Sequence, residues 1–386
     1  MKRDVALVLS GGSINGVMME LGFLRRVRES PLWPRIGWIF GTSAGALSGT
    51  MAALDRLDEL ERFLLDLQGP DAFRPNRLWR LPLLGTHEYA LPQTVDERIG
   101  HMQEVARELA DSPVELVVCA TDVTDTTGGE DPQDYELVYS SRSTDPREMA
   151  QAILASAAVS TLVMPMRVGD RIATDGAWSR NYPLAHAYHR PEVELIVAFR
   201  YLARYAPLDG TPLATIRRRL RRFGRVPPVR ALIQELKLAE EREQRGEPAH
   251  LLDMITRLMR IVVLRNTVLE ERSADEKDAA ILELRRLRAD VDDAIRRVVS
   301  DPHERERLAA AVADRFADSR FPFGHDRVVP RITVRAAVGE VSLEPRYRAA
   351  LPWTEEDKLS LVRRGWELTD VELERAGVGV LAAARA

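Results

Sequence analysis

The first sixty residues alternate between short apolar runs and small-residue turns, and this alternation constrains the fold more than any other feature. Val5 to Leu9 and Ile36 to Phe40 have the length and composition of buried strands, and Val17 to Glu29 between them reads as a helix. Each apolar run ends in a turn rich in glycine and serine. The first is SGGSING, Ser10 to Gly16, and the second is GTSAG, Gly41 to Gly45, which opens a further helix-forming run, Ala44 to Leu54. A strand, helix, strand unit of this kind calls for parallel strands joined by a right-handed crossover.

Further strands are predicted at Val114 to Ala120, Tyr135 to Tyr139, Val193 to Phe199 and Arg331 to Val338, and helices near Val95 to Ala110 and Pro146 to Ala158. The class is α/β, a mostly parallel central sheet with helices on both faces. Pro70 to Pro92, rich in Pro, Trp and Arg without a period, reads as an irregular surface loop bordering a site. The texture changes after Arg200. Leu251, Ile255, Leu258 and Val262, and again Leu284, Leu287, Val291, Ile295 and Val298, recur at spacings that predict at least two amphipathic helices. The expected organisation is an α/β core over 1–200, a helical insertion or cap over 201–328, and a closing strand with terminal helices over 329–386. Thr354, three residues before Asp357, is the expected cap of the terminal helix.

Composition excludes several classes. The chain of 386 residues balances 55 Lys+Arg against 59 Asp+Glu, a net charge of −4, so no nucleic-acid partner is expected. Cys119 is the only cysteine, which rules out an intrachain disulfide, a multi-cysteine zinc site and an iron–sulfur cluster. The opening MKRDVALVLSGG is too short an apolar run for a secretory signal. Met149 to Met166, rich in Ala and Ser, reads as a buried helix leading into a loop and not as a membrane span. A cytoplasmic protein is expected.

Three turns carry the chemistry. GTSAG places Ser43 at a sharp strand-to-helix turn, with Gly41 and Gly45 removing side chains that would crowd the backbone, so Ser43 is a candidate nucleophile. SGGSING follows the neighbouring strand, and its Gly11, Gly12 and Ser13 amides are candidate oxyanion donors. It also imitates a dinucleotide-binding GxGxxG. Against that reading, Ser13 occupies the middle glycine position, no acid for ribose ends the second strand, and no GK[ST] follows for a P-loop. Downstream, MRVGDRIATDG reads as a hairpin that delivers Asp175 into an Asp-Gly turn. The order Ser43, Asp175, then His186 or His189 mimics an α/β-hydrolase triad. That fold lays down several strands before its nucleophile, and here one strand and one helix precede the strand carrying Ser43. The polar run LAHAYHR also suits surface histidines, so a Ser-Asp dyad is preferred.

Taken together, SGGSING, GTSAG and DGA in this order resemble the patatin-like phospholipases. The resemblance covers Val5 to about Arg200 and includes Ala152 to Leu184, with RITVRAAV and the final helix similar to the family's closing elements; Tyr201 to Arg327 has no detailed match. It implies acyl-ester hydrolysis with Ser43 as nucleophile, Asp175 as base, the Gly11, Gly12 and Ser13 amides as oxyanion donors, a lipid or acyl-ester substrate, and neither cofactor nor metal. Two departures stand out: Ser13 replaces the family's third glycine and Asn15 replaces a basic residue. A serine forced to positive φ carries strain of about 1 kcal/mol. A non-catalytic binding or regulatory protein is the alternative reading, and a dinucleotide-binding protein the third. The basic run Arg217, Arg218, Arg219, Arg221 and Arg222, with Leu220 and Phe223 embedded, fits a solvated helix face, an acidic-partner site or peripheral contact with an anionic membrane.

Overall fold

β1 (Val5–Leu9) is apolar and buried at every position, as a strand covered on both faces must be. It leads into α1 (Ser13–Arg28), then β2 (Ile36–Thr42), α2 (Ala44–Ala53), α3 (Leu57–Asp66) and the single turn α4 (Gly69–Ala72). Two short strands follow, β3 (Phe73–Pro75) and β4 (His87–Tyr89), then α5 (Leu91–Arg98) and α6 (Met102–Asp111). Next come β5 (Glu115–Asp122), β6 (Glu136–Ser140), α7 (Pro146–Ser156), β7 (Met166–Val168) and β8 (Arg171–Asp175). After α8 (Ala177–Arg180), α9 (Leu184–Tyr188) and β9 (Leu195–Leu202), the chain runs through α10 (Pro227–Gln244), α11 (Leu251–Val298) and α12 (Pro302–Ala317). It closes with β10 (Arg331–Ala337) and α13 (Glu355–Arg375). This computed structural model describes residues 2–76, 87–124, 131–159, 162–202, 217–218, 220–247, 251–317, 327–337, 339, 341–344 and 352–379.

Among the described residues the main sheet has eight strands in the order β10-β9-β1-β2-β5-β8-β7, with β6 also paired to β5. Pairings among β10, β9, β1, β2 and β5 are parallel; those of β5 with β6 and β8, and of β7 with β8, are antiparallel. The α/β class with a mostly parallel sheet is therefore what forms. Alternation along β1 sorts the core into two layers. Val5, Leu7 and Leu9 pack with Phe23 and Leu24 of α1 and Leu361 of α13, while Ala6 and Val8 pack with Tyr182, Leu184 and Tyr188 on the other face. α13 is tied to α1 by Arg26 and Asp370 at 2.6 Å, and Thr354 caps it by accepting the Asp357 amide.

Several boundaries differ from the sequence reading for identifiable reasons. α1 starts at Ser13 and not at Val17 because the glycine turn is already wound: the Gly16 amide donates to the Gly12 carbonyl at 2.7 Å. The single helix expected at Val95 to Ala110 is two, parted at Gly100, whose φ of +127° ends the first. Pro70 to Pro92 is not wholly irregular, since it holds α4 and the β3–β4 pair, with 77–86 outside the described residues. The two apolar-periodic stretches near 255 and 290 belong to one helix, α11, of 48 residues.

Candidate active site

β5 acts as a common ruler for two distant segments. Thr42, the last residue of β2, pairs with Cys119, and Asp175, the last residue of β8, pairs with Ala120. Adjacent positions on one strand therefore bring Ser43 and Asp175 together across 132 residues of sequence. The Ser43 hydroxyl donates to Asp175 Oδ2 at 2.8 Å. Both residues are buried, at 8% and 4% exposure.

The surroundings hold this pair rigidly. Ser43 adopts φ 55° and ψ −118°, a backbone state that costs a non-glycine residue about 1–3 kcal/mol and lasts only where neighbours enforce it. Its amide donates to Ser156 Oγ at 2.8 Å, and Ser156 Oγ donates in turn to the Cys119 carbonyl at 2.6 Å. The tightness of the turn demands its glycines: a Cβ on Gly41 would lie 2.3 Å from the Gly45 carbonyl oxygen, and one on Gly45 would lie 2.5 Å from that of Leu9. Asp175 Oδ1 accepts the Ala177 amide at 2.8 Å. Burial pushes the Asp175 carboxyl up to about 6, against the opposing hydrogen bonds from the Ala177 amide and Ser43.

The first glycine turn sits against this pair, because a Cβ on Gly11 would come within 3.2 Å of the Ser43 Cβ. Ser13 has φ 53°, the strained state that its replacement of a glycine foretold. One expectation needs correcting. The Gly11 amide is already donated to the Asn181 carbonyl at 3.0 Å, so it is committed to holding the turn onto the residues after α8. Gly12 and Ser13 lie at the N-terminus of α1, where amides lack partners within the helix, and Gly12 makes no side-chain cap there. Asn15 is fully buried. Its side chain bonds to Ser342 Oγ and the Leu343 amide and so fastens the segment after β10.

His186 is not the surface residue the sequence suggested. It is half-buried and bonds to Glu136 at 2.8 Å, and Arg180 joins Glu136 to Glu270 at 2.6 and 2.7 Å. Desolvation would raise the Glu136 carboxyl, but the hydrogen bonds from His186 and Arg180 prevail and hold it at about 2. Among the described residues, Cys119, Glu136 and His186 bring one ligand atom each within 4.8 Å, near enough for a metal ion. Arg180 contacts the same Glu136 oxygen as His186, and burial pushes the Cys119 thiol up, so cation and protonated thiol both oppose a metal there. Sequence reasoning missed Ser156 and Asn181, since neither has a motif and their roles arise from strand register. It also missed Tyr89, which donates to the Leu154 carbonyl and feels the Asp175 charge.

The model of the patatin-like phospholipase family matches residues 7–188, the stretch that contains both glycine turns and Asp175. Over residues 7–188 the chain is therefore similar to the patatin-like phospholipases, a family whose broad function is lipid hydrolysis. VipD from Legionella pneumophila, known from a crystal structure, is similar at 13% identity and a TM-score of 0.42, over 97% of this chain and 67% of its own. No curated protein matches the sequence.

Proposed function

We propose that the protein is a serine acyl hydrolase acting on lipid or phospholipid esters, with Ser43 as nucleophile and Asp175 as its base. The observation that carries this reading is the 2.8 Å hydrogen bond from the Ser43 hydroxyl to a buried carboxylate. Asp175 takes the hydroxyl proton as Ser43 Oγ attacks the ester carbonyl; the alcohol leaves with that proton, and an acyl-enzyme remains. Water then attacks the acyl carbon, Asp175 removes its proton, and as the Ser43–acyl bond breaks that proton passes to Ser43 Oγ, releasing the carboxylic acid. A carboxylate raised to about 6 is a better base than an ordinary aspartate and is still ionised at neutral pH. The Gly12 and Ser13 amides receive the oxyanion, with the N-terminus of α1 favouring negative charge there.

We read residues 1–200 and 329–386 as the catalytic core and 201–328 as its helical insertion. Peripheral contact with anionic membrane through Arg218, Arg221 and Arg222 belongs to the same proposal; all three are exposed. Arg217 is less available because it pairs with Glu240 at 2.8 Å, and Arg219 lies outside the described residues. The non-catalytic reading is favoured by one observation, the commitment of the Gly11 amide to Asn181. A fluorophosphonate probe separates the two. It is expected to label the wild-type protein and not Ser43→Ala, and absence of labelling together with absence of p-nitrophenyl ester hydrolysis by the wild type overturns the enzyme.

A further inference from the structure

The N-terminal half of α11, up to Glu271, is amphipathic in the wrong sense for a surface helix. Its polar residues face the protein. Asn266 donates to the Trp178 carbonyl at 2.9 Å, Thr267 accepts from Asn181 at 2.8 Å, Glu270 pairs with Arg180, and Glu271 pairs with Arg200 and Arg335. Its large apolar residues face outward: Leu258, Ile261, Leu264, Val268 and Leu269 are between 40 and 59% exposed. Water is the wrong neighbour for such a face, because apolar area left in water forgoes the hydrophobic gain of burial.

Charge identifies the partner. Between Asp253 and Glu270 the sequence has no acidic residue; of its three arginines there, Arg260 pairs with Glu344 at 3.2 Å and Arg257 donates to the Gly246 and Glu247 carbonyls. Arg265 is exposed in the middle of the apolar face. After Glu270 the exposed positions include Arg272, Asp275 and Glu276, and the exposed apolar residues further along, such as Leu282 and Leu287, stand among Glu283 and Asp290 as well as arginines. Residues 254–269 span about 24 Å of helix, and an apolar stripe whose exposed charge is the Arg265 guanidinium suits the boundary between anionic headgroups and acyl chains. Among the described residues no helix is long and apolar enough to cross a membrane, so the helix would lie in the interface plane. A second copy is a poorer fit, since the face offers no acidic partner for Arg265. The patch is also linked to the site. Thr267 holds Asn181, whose carbonyl accepts the Gly11 amide, and Gly11 packs against Ser43.

We infer that the outward face of α11 over residues 254–269 docks on an anionic lipid bilayer and presents the Ser43 turn to lipid held there. The choice of a bilayer rests on the acyl-hydrolase reading, but the two are tested apart. Ser43→Ala protein, which cannot consume the vesicles, is expected to co-sediment with phosphatidylcholine vesicles containing phosphatidylglycerol and more weakly with phosphatidylcholine alone. Adding Ile261→Glu and Val268→Glu is expected to weaken that binding about tenfold or more, while Arg265→Ala weakens it only on the anionic vesicles. In the background with Ser43 intact, the same double variant should hydrolyse a water-soluble short-chain ester at the wild-type rate, which shows that it folds. Undiminished vesicle binding by the double variant overturns the inference. So does failure of the Ser43→Ala protein to bind either vesicle, or a dimer in light scattering that the double variant dissociates. Vesicle binding without any ester hydrolysis by the wild type leaves the docking face standing and removes the hydrolase; hydrolysis without vesicle binding does the reverse.

Discussion

The turns after β1 and β2 are two versions of one backbone solution. Each carries a buried strand into a helix through a serine in the left-handed region, Ser13 at φ 53° and Ser43 at φ 55°. Their side chains differ in fate. Ser43 is buried with its hydroxyl on Asp175, whereas Ser13 is exposed and makes no side-chain hydrogen bond among the described residues. The strain at 43 therefore aims a side chain, and the strain at 13 orients backbone amides that a glycine would supply with less cost. On the proposed mechanism one turn needs its serine and the other only its shape.

That contrast can be broken at either turn. The largest effect is expected at the Ser43 side. Asp175→Asn keeps the shape of the carboxylate but removes its ability to take a proton, and ester hydrolysis should fall about 10²–10⁴-fold in steady-state assays. A loss below tenfold would mean that the 2.8 Å hydrogen bond is structural only. Gly11→Ala should come next, because its Cβ would meet Asn181 Oδ1 at 2.3 Å and push the first turn away from Ser43. A fall of about 10–100-fold in kcat/KM is expected, since misplacing donors by about 1 Å is that costly. Wild-type activity in this variant would separate the two turns functionally.

The pH dependence sharpens the comparison further. With the Asp175 carboxyl near 6, activity should be flat above about pH 7 and fall about tenfold by pH 5, as the base becomes protonated. Stability moves the opposite way. The folded state holds this proton more tightly than the unfolded chain, so the contribution of Asp175 is complete below about pH 4 and is lost as pH rises through about 6. Asp175→Asn should accordingly raise Tm at about pH 8 and leave it nearly unchanged at about pH 4, measured by calorimetry. The smallest effect is expected for Ser13→Gly. Relief of positive φ should stabilise the fold by up to about 1 kcal/mol in urea titration, with kcat/KM within about threefold of wild type. A Ser13→Gly protein as impaired as Asp175→Asn would give the Ser13 hydroxyl a role that its exposure does not suggest.

Much of this arrangement is visible in local pattern because local sterics produce it. β1 could be placed to the residue since only an unbroken apolar run suits a strand buried on both faces, and GTSAG could be placed because few residues tolerate so tight a strand-to-helix turn. The DGA hairpin could be located for similar reasons. Other features have no local signature. Leu251 to Val298 shows two apolar stretches with charged residues between, and only packing against α8 and α9 reveals one continuous helix whose outward stripe changes character at Glu270. His186 sits in a polar run like that of a surface helix, yet Glu136, 50 residues earlier, draws it inward.

The sequence by itself therefore determined the elements and the chemistry on offer: which strands are buried, which serine lies in a strained turn, which aspartate ends a hairpin. Tertiary structure alone decided what meets what. Pairing with Cys119 and Ala120 of β5 sets Ser43 beside Asp175, and the Asn181 carbonyl takes the Gly11 amide out of use. The physical reason is range. Propensity and steric limits act over a few residues, whereas a hydrogen bond across 132 residues exists only after strand register has been fixed by burial of the whole sheet.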